Sequence, residues 1–259
     1  MWRFYAEQGR KFPWRETDNE YEILVSELML QQTQTERVLK KYSPFLEVFP
    51  DYGTLAEAST IKLLEMWSGL GYSRRALALR DIAARVYAMG GRLPSDEETL
   101  LSFPMIGPAT AGSLRAFVFN IPSVFIETNI RRVFIYHFFR CSDAVSDSEI
   151  LPLVSSTLDT GDPRNWYYAL MDYGVFLKSR VPNPNRKSSH YRVQAPFEGS
   201  NRQLRGKVLR LLVSGRRCTY TELLEGTSAE NLLLETCLEG LEKDGFIVCE
   251  SPGTYSLKE

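Results

Sequence analysis

Apolar residues recur at three- and four-residue spacing through most of residues 1–180, and strand-like alternation is scarce, so this part of the chain reads as packed helices. Ile23, Leu24, Leu28 and Leu30, continued by Val38 and Leu39, trace one helix with a broad apolar face. Leu63, Leu64 and Trp67 trace another that ends at Gly69, and a third over 74–89 stops at Gly90-Gly91. Asp96 or Ser95 caps a short helix running into Phe103. The pattern predicts further helices over 108–119, 129–139, 147–158 and 163–177, the first opening on Pro108, whose missing N–H is tolerated in a first turn.

The pattern then breaks. Residues 181–200, VPNPNRKSSHYRVQAPFEGS, are rich in proline and polar residues and read as a linker or extended strap at a domain boundary. Beyond it, helical stretches at 202–214, 219–225 and 228–243 precede strand candidates at 245–250 and 254–257, joined by the turn Ser251-Pro252-Gly253. Three helices and a hairpin outline a winged helix. Its third helix carries Glu230, Glu235, Glu239 and Glu242, which argues against entry into a DNA groove and for packing or protein contact.

Composition changes this picture little. Of 259 residues, 44% are hydrophobic and 24% charged, enough for a buried core in one large or two unequal domains. No apolar run suits a membrane span and the N-terminus lacks a signal-peptide core, so a cytoplasmic protein is expected, nucleoid-associated if prokaryotic. A formal charge of -1 gives no global nucleic-acid signature. Local arginine clusters exist at Arg74-Arg75, at Arg131-Arg132 and along Arg202, Arg205, Lys207, Arg210, Arg216 and Arg217, each of which taken singly reads as a solvated face. Cys141, Cys218, Cys237 and Cys249 form no CxxC pair and read as reduced thiols, mostly buried.

Three stretches carry candidate chemistry. In LSFPMIGPATAG (101–112), a Pro-bearing turn with Gly107, expected to give backbone geometry closed to other residues, leads into a helix at Pro108 whose free N–H groups could hold a phosphate; many helical hairpins look alike. In SELMLQQT (26–33), Glu27 sits in an otherwise apolar face. A buried carboxyl there would have a raised pKa, whereas a solvated or arginine-paired one would not. In IETNIRRV (126–133), Glu127 or Thr128 can cap the next helix, a common arrangement with no functional implication by itself.

Taken together, these pieces resemble the MutY-type adenine DNA glycosylases of the helix-hairpin-helix (HhH-GPD) superfamily. FPWRETDNEYEILVSELMLQQTQTERV is similar to the opening of that family, WSGLGYSRRALAL to its next signature, FPMIGPATAG to its hairpin and IETNIRRV to its D-x-N-x-x-R-V stretch; MDYG at 171–174 resembles the segment before the family's cluster cysteines. The order holds over roughly residues 1–178.

The resemblance implies a mainly α, two-lobed glycosylase domain over 1–180, with a six-helix lobe at about 21–125 and a second lobe from 1–20 plus 126–180, then the strap at 181–200 and the winged-helix-like domain at 201–259. It implies that Glu27 protonates the leaving adenine, that Glu127 stabilises the sugar cation and that Asn129 stands beside it. Gln32, Leu70 and Tyr72 would form the wedge that enters the base stack, and Arg15 would line the adenine pocket. Met105, Ile106, Gly107 and Ala109 would hold DNA phosphate, with room for a monovalent cation at the hairpin. The partner would be double-stranded DNA bearing a mismatch or lesion, bound by a monomer.

Four departures limit the inheritance. No cysteine follows MDYG in residues 175–194, so neither an iron–sulfur cluster nor another metal is expected, and the strap is expected to be held by packing of Phe176, Leu177, Tyr191 and Val193. The sugar-side carboxylate is Glu127, one methylene longer than the family's aspartate, and misplacement by about 1 Å can cost on the order of a hundredfold in rate. Met105 replaces the first hairpin glycine and should reshape that turn. The C-terminal segment is far smaller than the family's 8-oxoguanine-reading domain. Ala109 stands where bifunctional relatives carry a lysine nucleophile, so the expected enzyme is monofunctional, removing adenine opposite guanine or 8-oxoguanine. The alternatives are a relative acting on another mismatched or damaged base, or a non-catalytic binder of damaged DNA.

Overall fold

The computed structural model describes every residue except Ala195, Gly215, Arg216 and Glu259; Arg216 of the basic cluster therefore lies outside the described residues. In chain order the helices are α1 (Trp2–Gln8), α2 (Glu20–Leu30), α3 (Thr35–Val48), α4 (Tyr52–Ala56), α5 (Thr60–Trp67), α6 (Arg74–Ala88), α7 (Glu97–Ser102), α8 (Pro108–Phe119), α9 (Thr128–Phe138), α10 (Asp147–Thr157), α11 (Pro163–Arg180), α12 (Asn201–Val213), α13 (Tyr220–Thr227) and α14 (Asn231–Lys243). Three strands, β1 (Cys218–Thr219), β2 (Ile247–Ser251) and β3 (Thr254–Leu257), form an antiparallel sheet in the order β1-β3-β2. The chain divides into two compact units, Met1–Glu27 with Leu93–Val193 and Leu28–Arg92 with Gln194–Glu259.

Local chemistry explains most element ends. Asp51, Ser59, Asp96 and Asp162 each accept a hydrogen bond from a backbone N–H in the first turn of α4, α5, α7 and α11. Reciprocal capping boxes start α10 at Ser146/Glu149 and α13 at Thr219/Glu222. Pro108 opens α8 as expected, and Asn120 ends it in the left-handed conformation, φ 52°. The single helix expected from Ile23 to Leu39 is instead two. Gln32 takes φ 54°, a conformation that no right-handed helix can continue through, and Leu39 is exposed rather than on the apolar face.

The first unit is built around aromatic residues. Phe117 stacks on Tyr168 at 4.6 Å, Phe125 lies 4.1 Å from Tyr167, and the Tyr167 hydroxyl donates to Ser123 O at 2.5 Å. Two glycines permit close helix contacts: a Cβ at Gly174 in α11 would stand 2.4 Å from Asn129 O, and one at Gly112 would stand 2.8 Å from the Phe125 Cβ.

The strap is held differently from expectation. Phe176 and Leu177 do pack, against Phe4 and in the core respectively, and Tyr191 is half-buried, but Val193 is 83% exposed. Polar bonds secure the segment instead: Asn185 Nδ2 donates to Thr128 O at 2.9 Å, Val145 N to Lys187 O at 2.8 Å, and Ser189 N to Val145 O at 2.9 Å. Proline-rich backbone offers few apolar side chains, so its carbonyls and an asparagine do the anchoring.

In the second unit, Leu64 of α5 joins Val208, Leu212, Leu234, Leu238, Leu241 and Phe246 in one core. Of the arginines read from sequence as solvated faces, some are enclosed or ion-paired within the chain, while Arg74, Arg210 and Arg217 stay exposed. Arg75 and Arg132 are buried, Arg131 pairs with Asp147 at 2.7 Å, and Arg74 and Arg205 both pair with Asp244. Cys218 and Cys237 are buried; Cys141 and Cys249 are exposed, which corrects the expectation of mostly buried thiols.

Candidate active site

Two glutamates of the first unit stand within electrostatic reach of one another. Glu27 lies inside α2, flanked by the buried Ser26 and Leu28, and its Oε2 accepts a 2.5 Å hydrogen bond from Ser113 Oγ of α8. Burial pushes its carboxyl from an ordinary 4.5 to about 7; the negative charge of Glu127 adds to the rise, while the Ser113 bond and Arg15 oppose it. Near neutral pH Glu27 is therefore divided between acid and carboxylate. No arginine pairs with Glu27 among the described ion pairs, and Ser113 is its donor among the described hydrogen bonds; the residue as a whole is half-buried.

Glu127 occupies the N-cap of α9 and its carboxylate folds over the open end of the helix. Oε1 accepts from Asn129 N at 2.7 Å and Ile130 N at 2.8 Å, and Oε2 from Asn129 Nδ2 at 3.1 Å. Burial raises this carboxyl as well, but the two backbone bonds and the nearby Arg132 and Arg131 oppose that rise. The helix N-terminus supplies further partial positive charge. Asn129 is itself fixed, because its Oδ1 accepts from Arg132 NH1 at 2.7 Å, and the same nitrogen donates to Gly174 O at 2.8 Å.

Arg15 closes the short 3-10 turn Pro13–Arg15. Its guanidinium grips Asp172 of α11 through both terminal nitrogens, at 2.9 and 3.0 Å, and lies 4.3 Å from the centre of the Tyr168 ring. Arg10 binds the same carboxylate at 2.7 Å. Arg15 thus shares the neighbourhood of Glu27, with its donors directed at Asp172. Ser113, Asp172, Tyr168 and Arg132 were not picked out from sequence as site residues. Asp172 of MDYG had a signal in the resemblance; Ser113 had only its place one turn along α8 from Ala109.

The hairpin between α7 and α8 corrects one expectation. Gly107 adopts extended backbone (φ -98°, ψ -179°) open to any residue, and a Cβ there would meet nothing within 4 Å. The left-handed residue is Met105, φ 62°, so the turn keeps a glycine-like geometry with a strained methionine, 47% exposed. Ile106 is buried, Ala109 is exposed, and the α8 N-terminus has no side-chain cap. The hairpin leads into a helix N-terminus without a side-chain cap, a geometry suited to a phosphate.

The wedge candidates belong to the second unit. Gln32 (φ 54°) and Tyr72 (φ 48°) both take left-handed backbone and both reach the surface, Tyr72 being 37% exposed. The Tyr72 hydroxyl is held by Gln194 Nε2 at 2.5 Å and Arg202 NH1 at 3.1 Å. Leu70 is buried, and its carbonyl accepts from Thr33 Oγ1 at 3.2 Å. Among the described residues, no group of three or more His, Cys, Asp and Glu side chains is arranged to hold a metal ion, and no helix is long and apolar enough to cross a membrane.

Comparison with known proteins bears on the family and the fold. Residues 25–150 match the HhH-GPD superfamily of base excision DNA repair proteins. The chain is 30% identical over 274 residues to an adenine DNA glycosylase of Mycolicibacterium smegmatis, covering 98% of this chain and 93% of that protein. It is 33% identical over 180 residues to the corresponding protein of Buchnera aphidicola, where the match spans 67% of this chain but only 50% of the relative. Among solved structures, a thermostable thymine-DNA glycosylase superposes with a TM-score of 0.61 at 22% identity, over 71% of this chain and 87% of that one. A non-covalent endonuclease III–DNA complex gives 0.59 at 17% identity, over 70% and 85%. The likeness to these structures covers about seven-tenths of the chain and is one of mainly helical fold; the chain belongs to the adenine DNA glycosylase family of the HhH-GPD superfamily.

Proposed function

We propose that this protein excises adenine from duplex DNA, where it is mispaired with guanine or 8-oxoguanine, by hydrolysing the N-glycosidic bond. The observation that carries the reading is the pair of differently housed glutamates, one with a pKa raised to about 7 and one capped by backbone amides. A purine leaves deoxyribose readily only if it departs neutral. Glu27 as the acid donates its proton to N7 of the extruded adenine while the bond from C1′ to N9 breaks and its electron pair passes to the base. The deoxyribose is left as an oxocarbenium-like cation, which the Glu127 carboxylate stabilises. Water adds at C1′ and loses a proton to the carboxylate now present on Glu27. The products are free adenine and an abasic site. One residue type serves both roles because the two carboxyls are held by different partners, a hydroxyl for Glu27 and helix-end amides for Glu127.

Extrusion precedes chemistry, and filling the gap offsets a few kcal/mol of unstacking. We assign that filling to Gln32 and Tyr72, with Leu70 beneath them, and the backbone at Met105 to Ala109 to a phosphate. Arg15 acts through Tyr168 and Asp172 on the setting of Glu27. Ala109 offers no amine for a Schiff base, so the enzyme is monofunctional. An iron–sulfur cluster has no place in this reading: residues 175–194 contain no cysteine, and Cys218 and Cys237 belong to the core around α12 and α14. The protein is expected to act as a monomer.

Duplexes carrying adenine opposite guanine or 8-oxoguanine, incubated with the protein and then treated with alkali, should break at the adenine. Unbroken strands under all conditions would refute the proposal. Breakage before alkali would refute the monofunctional assignment.

A further inference from the structure

Arg75 lies in the first turn of α6, beside the exposed-looking Arg74, yet it is only 1% exposed. Burial draws its pKa down to about 10. Holding a cation in such a place is expensive, and a well-packed apolar residue would often be more stabilising, so packing alone does not account for it. Its partners do.

The guanidinium donates to seven oxygens on two separate stretches of chain. At the end of α2 they are Leu28 O and Met29 O, both at 2.8 Å, Gln31 O at 2.5 Å and Thr33 Oγ1 at 2.9 Å. In the loop before α6 they are Leu70 O at 3.2 Å, Gly71 O at 2.8 Å and Tyr72 O at 3.4 Å. The charge also lies 5.4 Å from the Trp67 ring centre and 5.6 Å from that of Tyr72. Thr33 Oγ1 donates to Leu70 O, and Trp67 Nε1 to Gly71 O at 3.1 Å, so the two stretches are tied at further points.

The residues bracketed by these bonds are Gln32, between Gln31 and Thr33, and Tyr72, next to Gly71. Both have the left-handed backbone that side chains other than glycine disfavour. A carbonyl pinned on one or both sides of each residue holds it there. We propose that Arg75 is a positioning residue for base extrusion, setting Gln32 and Tyr72 at fixed spacing so that both can enter the stack together. This rests on the reading of those two residues as the wedge. A lysine keeps the charge but lacks the planar fork that reaches both stretches.

The test compares single-turnover release of adenine from two duplexes, one with guanine opposite the adenine and one with an abasic site there, where no pairing partner has to be left. Full-length wild type, Arg75→Lys, Thr33→Val and Glu27→Gln are measured on both. A partly unfolded preparation slows both substrates alike, so the ratio of rates reports extrusion regardless of folding. Arg75→Lys should slow the paired substrate by about tenfold or more and the unpaired one by less than about threefold, since unstacking is cheapest where pairing is already lost. Thr33→Val should move the ratio the same way by less. A 2-aminopurine at the target position should brighten with wild type and Glu27→Gln but not with Arg75→Lys. Equal slowing on both substrates, or an unchanged ratio, overturns the proposal. If wild type releases no adenine from either duplex, the excision reading has failed, and fluorescence alone decides: equal brightening with wild type and Arg75→Lys overturns the role given to Arg75.

Discussion

Glu27 and Glu127 are the same residue type in opposite backbone settings. Glu27 projects from the interior of α2, where every neighbouring N–H is already used by the helix, so its only direct donor among the described bonds is the Ser113 hydroxyl. Glu127 sits one position before α9, where unsatisfied N–H groups gather, and takes two of them plus an amide side chain. Burial acts on both and raises both. What differs is the compensation: one hydroxyl for Glu27, and two backbone amides with two nearby arginines for Glu127. Position on a helix therefore sets how many backbone N–H groups each carboxyl can accept from.

The largest effect should come from removing the acid. Glu27→Gln should lower the single-turnover rate by roughly 10²–10⁴-fold, the usual worth of general acid catalysis, with DNA affinity preserved in a gel-shift or anisotropy titration. Next is Glu127→Ala, which should cost roughly 10²–10³-fold in rate, the scale of losing one preorganised electrostatic group. The same change removes a helix cap and should cost about 0.5–2 kcal/mol in urea unfolding. An unchanged rate would mean that Glu127 is a cap and nothing more. Glu127→Asp keeps the charge and separates reach from charge: a rate closer to wild type than that of Glu127→Ala shows that the carboxylate matters more than its extra methylene.

Stability offers a third probe. The Glu27 carboxyl titrates at about 7 when folded, against 4.5 as its ordinary value. The folded state thus holds this proton more tightly, and the contribution to stability is present below about pH 4.5 and lost as pH rises through about 7. Glu27→Gln should be more stable than wild type by about 1–3 kcal/mol at pH 8 and nearly equal to it at pH 4.5, which thermal melts at the two pH values will show. The smallest effect belongs to Ser113→Ala. Ser113 stabilises the charged form of Glu27, so its loss should move the alkaline limb of the pH–rate profile upward by less than about one pH unit.

Much of this was legible in the sequence, for a physical reason. Pro108, the capping Asp96 and the Ser146/Glu149 box act on their own few residues, so their elements appear where the pattern puts them. Glu27 and Glu127 were recognisable through the motifs around them. What escaped depends on distant partners. The bond from Ser113 to Glu27 joins residues 86 apart, and Arg75 meets Leu28 across 47. A run such as Arg74-Arg75 gives no sign that one side chain is exposed and the other enclosed. Likewise, the glycine at 107 suggested a special turn, whereas the left-handed residue is Met105; the resemblance flagged that position, but as a reshaped turn rather than one that keeps glycine-like backbone.

The most direct measurement is an NMR titration of the protein labelled with carbon-13 at glutamate carboxyls, compared with the Glu27→Gln variant to identify the resonance. The account predicts one carboxyl, absent from the variant, that titrates near pH 7. A Glu27 signal that titrates close to 4.5, with a rate independent of pH between about 5 and 9, would contradict it.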